Sequence, residues 1–355
     1  MSLSSVPILF RETLRLKRTM AEPVKVKELP AHTNDFLKGL FKGHSEGFCR
    51  FGDVGYLMPM SYKDHADTIR TMPLRNDDIW VATFPRCGTT WTQEMVWLLK
   101  NNLDYEGAKK ALIERYIFID YFSFVHEQLQ DLDKIKDVND KKAIGVFMQD
   151  GCEVAGRTPS PRFFKTHLPM SLLPETTLET TKMVYVARDP RDAAVSFYHL
   201  NRLLKFHDYA GDFKTHWKLF MEDLIAWTPF MDHLKEAWEL RHHPNLLFIF
   251  YEDMIKDLPG VVRRVSTFLG KKYSDEEIKK LCAHLDFNTF KNNESTHPSW
   301  IKSSPFVNPT SESFVRKGNS GGWRDYFDED MIREADVWMA QGLADTDMRF
   351  PDIKS

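Results

Sequence analysis

Short, continuous apolar runs alternate along the chain with longer stretches in which apolar residues recur every three or four positions. The runs Ile79–Phe84 (IWVATF), Arg162–Lys165, Lys182–Ala187 (KMVYVA) and Leu246–Tyr251 (LLFIFY) are strand-sized and rich in β-branched and aromatic residues, which predicts buried strands. Behind the first run, Trp91, Met95, Leu98 and Leu99 fall at i, i+4, i+7 and i+8 and predict a helix from about Thr90. Behind the third, Asp189 is a good N-cap, with Pro190 at the first helical position and Ala193 and Ala194 following. Phe213, Trp217, Phe220, Leu224 and Trp227 repeat at spacings of four and three, and are expected to form the core-facing stripe of another helix. This alternation is the pattern of βα units, so the expected fold is α/β, with a central, mostly parallel sheet flanked by helices. Between Lys100 and Arg162 the pattern weakens, and KIKDVNDKK at 134–142 reads as a solvated charged loop. An insertion or lid is expected there.

Neither a repeat nor a low-complexity stretch nor a linker interrupts the chain, so residues 31–355 are expected to form a single domain behind a flexible extension, 1–30. Within that extension Arg11, Arg15, Lys17 and Arg18 stand against one acid, Glu12, a distribution that resembles a weak organelle presequence. The plainer reading is a loose terminus, with Met20 as a possible second start.

Composition narrows the function. Of 355 residues, 42% are hydrophobic and 28% charged, enough for a real core and incompatible with wholesale disorder. The 48 basic residues are balanced by 51 acidic ones, for a net charge of −3, which argues against a life on nucleic-acid backbones. Cys49, Cys87, Cys152 and Cys282 are far apart with no CxxC pair, and the 13 histidines include no HxxxH pair. A disulfide scaffold and a zinc site are both disfavoured, and the chain reads as a cytoplasmic protein without a metal. No apolar run has the length of a membrane span.

The most informative segment is TFPRCGTTW, residues 83–91, which follows a predicted strand and opens a predicted helix. Gly88 lets the backbone approach a ligand, and Thr89 and Thr90 add hydroxyls where the first N–H groups of the helix lack partners. An anion such as a phosphate group fits there. In the P-loop of ATPases the glycine is followed by lysine; here threonine follows Gly88 and the cation, Arg86, precedes it, while the strand ending Ala187-Arg188 offers no magnesium-binding aspartate. The turn is thus P-loop-like without the residues of a metal-dependent NTPase.

The segment is very close to the TYPKSGTTW motif of the cytosolic sulfotransferases. YVARDPRDAAVSFYH at 185–199 resembles that family's 3′-phosphate segment, KTHLP at 165–169 its catalytic-histidine segment, FYED at 250–253 a nucleotide-contact strand, and RKGNSGGWRDYF at 316–327 its RKGxxGDWKxxF motif. The motifs stand in the family's order over roughly residues 45 to 350. In detail the chain resembles the insect branch that includes retinol dehydratase.

The resemblance implies transfer of a sulfonate group from 3′-phosphoadenosine 5′-phosphosulfate (PAPS) to the hydroxyl of a small hydrophobic phenol, sterol or other alcohol. It assigns the 5′-phosphate to Arg86, Cys87, Gly88, Thr89 and Thr90 and the 3′-phosphate to Arg188, Ser196, Arg316, Lys317 and Gly318. Trp91 and Phe287 would sandwich the adenine, with Tyr251 near the base. His167 falls at the general base, Lys165 at a stabiliser of sulfonate charge, and Arg86 where the family has a catalytic lysine. Arginine cannot give up a proton at neutral pH, though its fork can hold two oxygens. Cys87 replaces the usual serine and reads as packing.

Taken one at a time these residues have plainer explanations: an arginine at a strand end forms an ion pair, a tryptophan fills a core, and a histidine is structural. Phe84, Phe122, Phe124, Phe147 and Phe164 are expected to line the acceptor pocket, against the simpler reading that phenylalanines fill cores. The family's dimer signature KxxxTVxxxE is replaced from Arg324 onward, with Asp328 and Glu329 at its centre and Arg333 at its close, which leaves monomer and dimer both open. Three other activities compete: sulfation followed by elimination, as in retinol dehydratase; nucleotide or hydrophobic-ligand binding without chemistry; and ATP-dependent phosphoryl transfer.

Overall fold

The computed structural model describes residues 22–125, 145, 149–297, 306–308, 318 and 320–352. Three antiparallel strands come first: β1 (Val26–Glu28), β2 (Phe48–Phe51) and β3 (Tyr56–Pro59), in the order β1-β2-β3. β1 pairs with β2 through Val26↔Phe51, and Val24 just before it is buried, so the fold reaches further back than residue 31. A run of three residues is too short to announce itself in the sequence.

The main sheet is parallel, in the order β5-β6-β4-β7-β8. Its strands are β4 (Ile79–Thr83), β5 (Ile117–Phe118), β6 (Phe163–Thr166), β7 (Lys182–Ala187) and β8 (Leu246–Phe250). Successive side chains of a strand point to opposite faces, and both faces are apolar here. Trp80, Ala82, Phe164, Met183 and Tyr185 enter one core, while Ile79, Val81, Phe163, Val184 and Val186 enter the other. Register is pinned where β4 and β6 begin: the buried carboxylate of Asp78 accepts from Arg162 Nε at 2.7 Å, beside the pair Ile79↔Phe163.

Helices cover the two faces. Helix α1 (Thr89–Lys100) packs Met95, Val96, Leu98 and Leu99 on the second core, as its periodicity predicts. Helix α2 (Pro190–Leu203) is capped by Asp189, whose carboxylate accepts from the Arg191 backbone N–H, and brings Ala193, Ala194 and Phe197 to the first core. Among the described residues no helix is long and apolar enough to cross a membrane.

Two expectations are corrected. Helix α3 (Phe213–Met221) stops before Leu224 and Trp227, so the aromatic stripe is not one helix. Asp223 takes a left-handed backbone (φ +58°) that ends the helical turn, and Trp227 does so again (φ +69°). The stretch from 100 to 162 is also not merely an insertion: Ile117–Phe118 adds strand β5 to the sheet through Ile117↔Phe164 and Phe118↔Lys165. The charged loop at 134–142 lies outside the described residues.

Candidate active site

Every strand of the main sheet is parallel, so all their C-terminal ends open on one edge, where ligands of α/β sheets collect. β4 ends in Thr83 and leads into the candidate anion-binding turn; β6 delivers Lys165 and, one step on, His167. Arg188 follows β7, Tyr251 follows β8 and Asp120 follows β5. Residues scattered over 168 positions of sequence are gathered by topology alone.

The turn is held in an unusual backbone state. Arg86 is left-handed at φ +71°, a strained conformation for a side-chain-bearing residue, and Gly88 lies at φ +100°. The Arg86 carbonyl accepts from Arg188 Nη1 at 3.0 Å, and Arg86 Nε donates to Ser196 Oγ at 2.9 Å. A Cβ on Gly88 would lie 2.7 Å from the Tyr251 ring. Gly88→Ala is therefore expected to weaken nucleotide binding at least tenfold by calorimetry, because both the backbone angle and the Tyr251 contact forbid the methyl.

The adenine and 3′-phosphate candidates cluster on the same side. Trp91 meets Tyr251 edge-on at 5.7 Å and donates its indole N–H to the Leu285 carbonyl at 2.8 Å, two residues before Phe287. The Arg188 guanidinium lies 4.3 Å over the Tyr251 ring. A Cβ on Gly318 would strike the Phe287 ring, so only a glycine lets the backbone at this position lie against it. Arg316 and Lys317 lie outside the described residues. The Cys87 thiol is buried, and burial pushes its ionisation up, so it stays protonated.

Asp192 anchors the C-terminal motif, a role the sequence did not reveal. Its carboxylate accepts from Ser320 Oγ at 2.9 Å, Gly321 N–H at 2.6 Å and Trp323 N–H at 3.0 Å. Removing it strands three donors. Asp192→Ala is expected to cost about 3 kcal/mol in denaturant unfolding and to weaken nucleotide binding, since Gly318 sits on the loop that it ties down.

The second half of the site is built around His167. Its Nδ1 lies 2.8 Å from the Thr83 carbonyl oxygen, which can only accept, so Nδ1 carries the proton and Nε2 the lone pair. Thr83 Oγ1 stands 3.2 Å from the same nitrogen and 2.7 Å from Thr89 Oγ1, which joins the imidazole to the anion turn. Burial, then the Lys165 cation, holds the imidazole well below the usual histidine range, with His233 and Arg86 adding to this against the Thr83 bond. The result is a neutral imidazole. Lys165 lies 3.9 Å over the Phe118 ring; burial pushes its ammonium down to about 8, with Asp120 opposing and Arg86 assisting.

The aromatic wall differs from the expected one. Phe84 is enclosed by Phe197, Phe220, Phe230 and His233, and Phe164 is stacked on Trp80 at 4.4 Å with the Arg162 guanidinium 5.0 Å from its ring centre, so both fill the core. Phe122 packs edge-on against His65 at 5.2 Å, and Phe147 lies outside the described residues. Phe124 does reach the site: it stacks on Trp227 at 4.1 Å, and Trp227 and Phe118 meet the His167 ring edge-on at 5.6 and 5.2 Å. Trp227, read from the sequence as helix core, is thus a wall of the site. Among the described residues no group of three or more His, Cys, Asp and Glu side chains is placed to hold a metal ion.

Comparison with known proteins agrees with this geometry. The model of the sulfotransferase domain matches residues 76–347. Luciferin sulfotransferase of Photinus pyralis is 31% identical over 342 residues, covering 94% of this chain and 90% of the relative. Human sulfotransferase 1C2 is 31% identical over 275 residues, 77% of this chain and 85% of that one. Crystal structures of retinol dehydratase, one with retinol and PAP and one with androsterone and the inactive cofactor PAP, superpose with a TM-score of 0.86 at 40% identity, covering 94% of this chain and all of theirs. The chain belongs to the cytosolic-type sulfotransferase family. It is an enzyme of sulfonate transfer to a hydroxyl acceptor.

Proposed function

We propose that the chain takes its sulfonate from PAPS and delivers it to the hydroxyl of a small hydrophobic acceptor, with His167 as the general base. The observation that carries this reading is the tautomer of His167: Nδ1–H is committed to Thr83, so a neutral Nε2 is available to take the acceptor's proton. The donor fits the residues present. Gly88 and Gly318 each lie where a Cβ would fill space against Tyr251 or Phe287, and Trp91, Arg188 and Ser196 stand around them. The nucleotide-bound retinol dehydratase structures support it further.

In this scheme the backbone N–H groups and hydroxyls that open α1 bind the 5′-phosphate, and Arg188 and Ser196 bind the 3′-phosphate. Lys165 and Arg86 stabilise the negative charge that shifts toward the leaving phosphate as the sulfur–oxygen bond breaks. The new bond runs from the acceptor oxygen to sulfur, and the hydroxyl proton goes to His167 Nε2. Arg86 acts by charge and by its two-pronged contact; it holds its proton throughout. Trp227, Phe118 and Phe124 exclude water around the acceptor. The four cysteines, two buried and two partly so, are all thiols, which fits a reducing, cytoplasmic setting.

Kinship to retinol dehydratase at 40% identity over nearly the whole chain supports a second outcome on allylic alcohols. There the carbon–oxygen bond of the sulfate ester would break with its electrons leaving on sulfate, and the saturated carbon at the far end of the conjugated double bonds would lose a proton to water, the double bonds shifting to give an anhydro product. Incubation with sulfur-labelled PAPS and a panel of phenols, sterols and retinol, read by mass spectrometry, tests both. Label on an acceptor hydroxyl is expected; free sulfate with a dehydrated product marks the elimination. Tight PAP binding with no turnover of any acceptor class would overturn the proposal.

A further inference from the structure

Asp120 has no part in the chemistry just described, yet it is a 0%-exposed carboxylate at the centre of the site. It stands two residues beyond β5, and its two oxygens gather three donors from two distant parts of the chain, Thr166–His167 and Trp227. Oδ1 accepts from Thr166 Oγ1 at 2.9 Å and from the His167 backbone N–H at 3.2 Å. Oδ2 accepts from the Trp227 indole N–H at 3.2 Å and lies 3.3 Å from the same His167 nitrogen.

The partners explain why a charged group is kept there. Trp227 sits at φ +69°, a conformation that costs a bulky aromatic residue about 1 kcal/mol or more and persists only where its surroundings enforce it. Its backbone N–H is fixed to the Leu57 carbonyl at 2.7 Å, and Asp120 fixes the far end of the side chain, so the indole is held at both ends beside the imidazole. His167 is gripped from the opposite direction as well. Its carbonyl accepts from His233 Nε2 at 2.8 Å, and His233 Nδ1 accepts from the Tyr185 hydroxyl at 2.6 Å. Between Asp120 on the N–H, His233 on the carbonyl and Thr83 on Nδ1, the imidazole has little freedom to tilt.

We infer that Asp120 is a positioning residue for sulfonate transfer: it locks the His167 backbone and the Trp227 indole into one unit, and so sets the angle at which Nε2 meets the acceptor hydroxyl. The inference rests on His167 acting as the base. Asp120 is fully buried with its oxygens committed to Thr166, His167 and Trp227, and it acts through them. Its effect falls on the chemical step, where a small misplacement of a reacting group costs a large factor in rate, and leaves nucleotide binding alone.

The test uses Asp120→Asn, which keeps the shape but turns an N–H toward one of the donors, and Trp227→Phe, which keeps an aromatic ring and removes the indole N–H. Each is measured in the full chain, in the wild-type and His167→Ala backgrounds, for kcat, for KM of PAPS and for the Kd of PAP. Asp120→Asn is expected to lower kcat ten- to a hundredfold, with KM for PAPS and Kd for PAP within about twofold. The double variant with Trp227→Phe should lose no more than Asp120→Asn alone, because both cut the same link. In the His167→Ala background neither change should lower the residual rate further, an outcome that general loosening of the fold would not give. A wild-type kcat for Asp120→Asn, multiplying losses, or an undiminished effect without His167 would each overturn the inference. If Asp120→Asn fails to fold, Trp227→Phe carries the same comparison. A full rate for His167→Ala would instead sink the base assignment itself, and it is read separately.

Discussion

His167→Ala is expected to lower kcat for sulfonate transfer by roughly 10²–10⁴, the usual worth of a positioned general base, while PAP affinity stays within about twofold. The split follows from the site's two halves. His167 lies among Trp227, Phe118 and Lys165, on the proposed acceptor side, whereas the nucleotide candidates Trp91, Tyr251 and Arg188 form a separate cluster. Initial rates at saturating PAPS with calorimetry of PAP binding measure both quantities. A variant that keeps a third or more of the wild-type rate would remove His167 from the mechanism; parallel loss of rate and affinity would mean that the imidazole holds the donor instead.

Lys165→Met should be nearly as damaging, with kcat down about 10²–10³, because it removes a cation from a dry site where charge develops. This residue also fixes the pH profile. The proposed mechanism needs Lys165 charged and His167 neutral. Lys165 loses its proton as pH rises through about 8, so kcat/KM of the wild type should fall above that point. His167 gains a proton only well below its ordinary range, so the rate should stay flat from pH 7 to below 6.5. An anionic donor beside the ammonium favours its charged form, and the fall in kcat should come at higher pH than the fall in kcat/KM. Lys165→Arg, charged at every accessible pH, should abolish the alkaline fall altogether. A fall that persists in that variant would assign it to another group.

The sheet was legible because its inner strands are buried on both faces. IWVATF and KMVYVA are buried along almost their whole length and apolar at every position but Thr83 and Lys182, and such runs stand out from one sequence. Asp189-Pro190 announced its helix for an equally local reason: cap and first-turn chemistry occupy neighbouring positions. β5 escaped because two residues carry no period, and Trp227 was misassigned because a spacing of three cannot report the left-handed residue at 223 that breaks the helix before it. The donor side of the site was readable as contiguous motifs. The acceptor side was not, since Asp120, Phe118 and Trp227 converge only through the sheet order β5-β6-β4 and the chain's return before Phe230. One signal was present all the same: Asp120 is a lone acid in the apolar stretch IFIDYFSF, and an acid there must find partners or stay out of the core.

Thr83 serves both sides at once, through its carbonyl and hydroxyl to His167 and through its hydroxyl to Thr89. In the proposed mechanism donor grip and proton abstraction therefore share a single rivet, and neither can be adjusted there without disturbing the other. Redirecting such an enzyme to a new alcohol leaves this rivet untouched. The latitude lies in the walls, at Phe118 and Phe124, where a ring can be exchanged for a smaller or differently shaped one while the chemical frame beneath stays as it is.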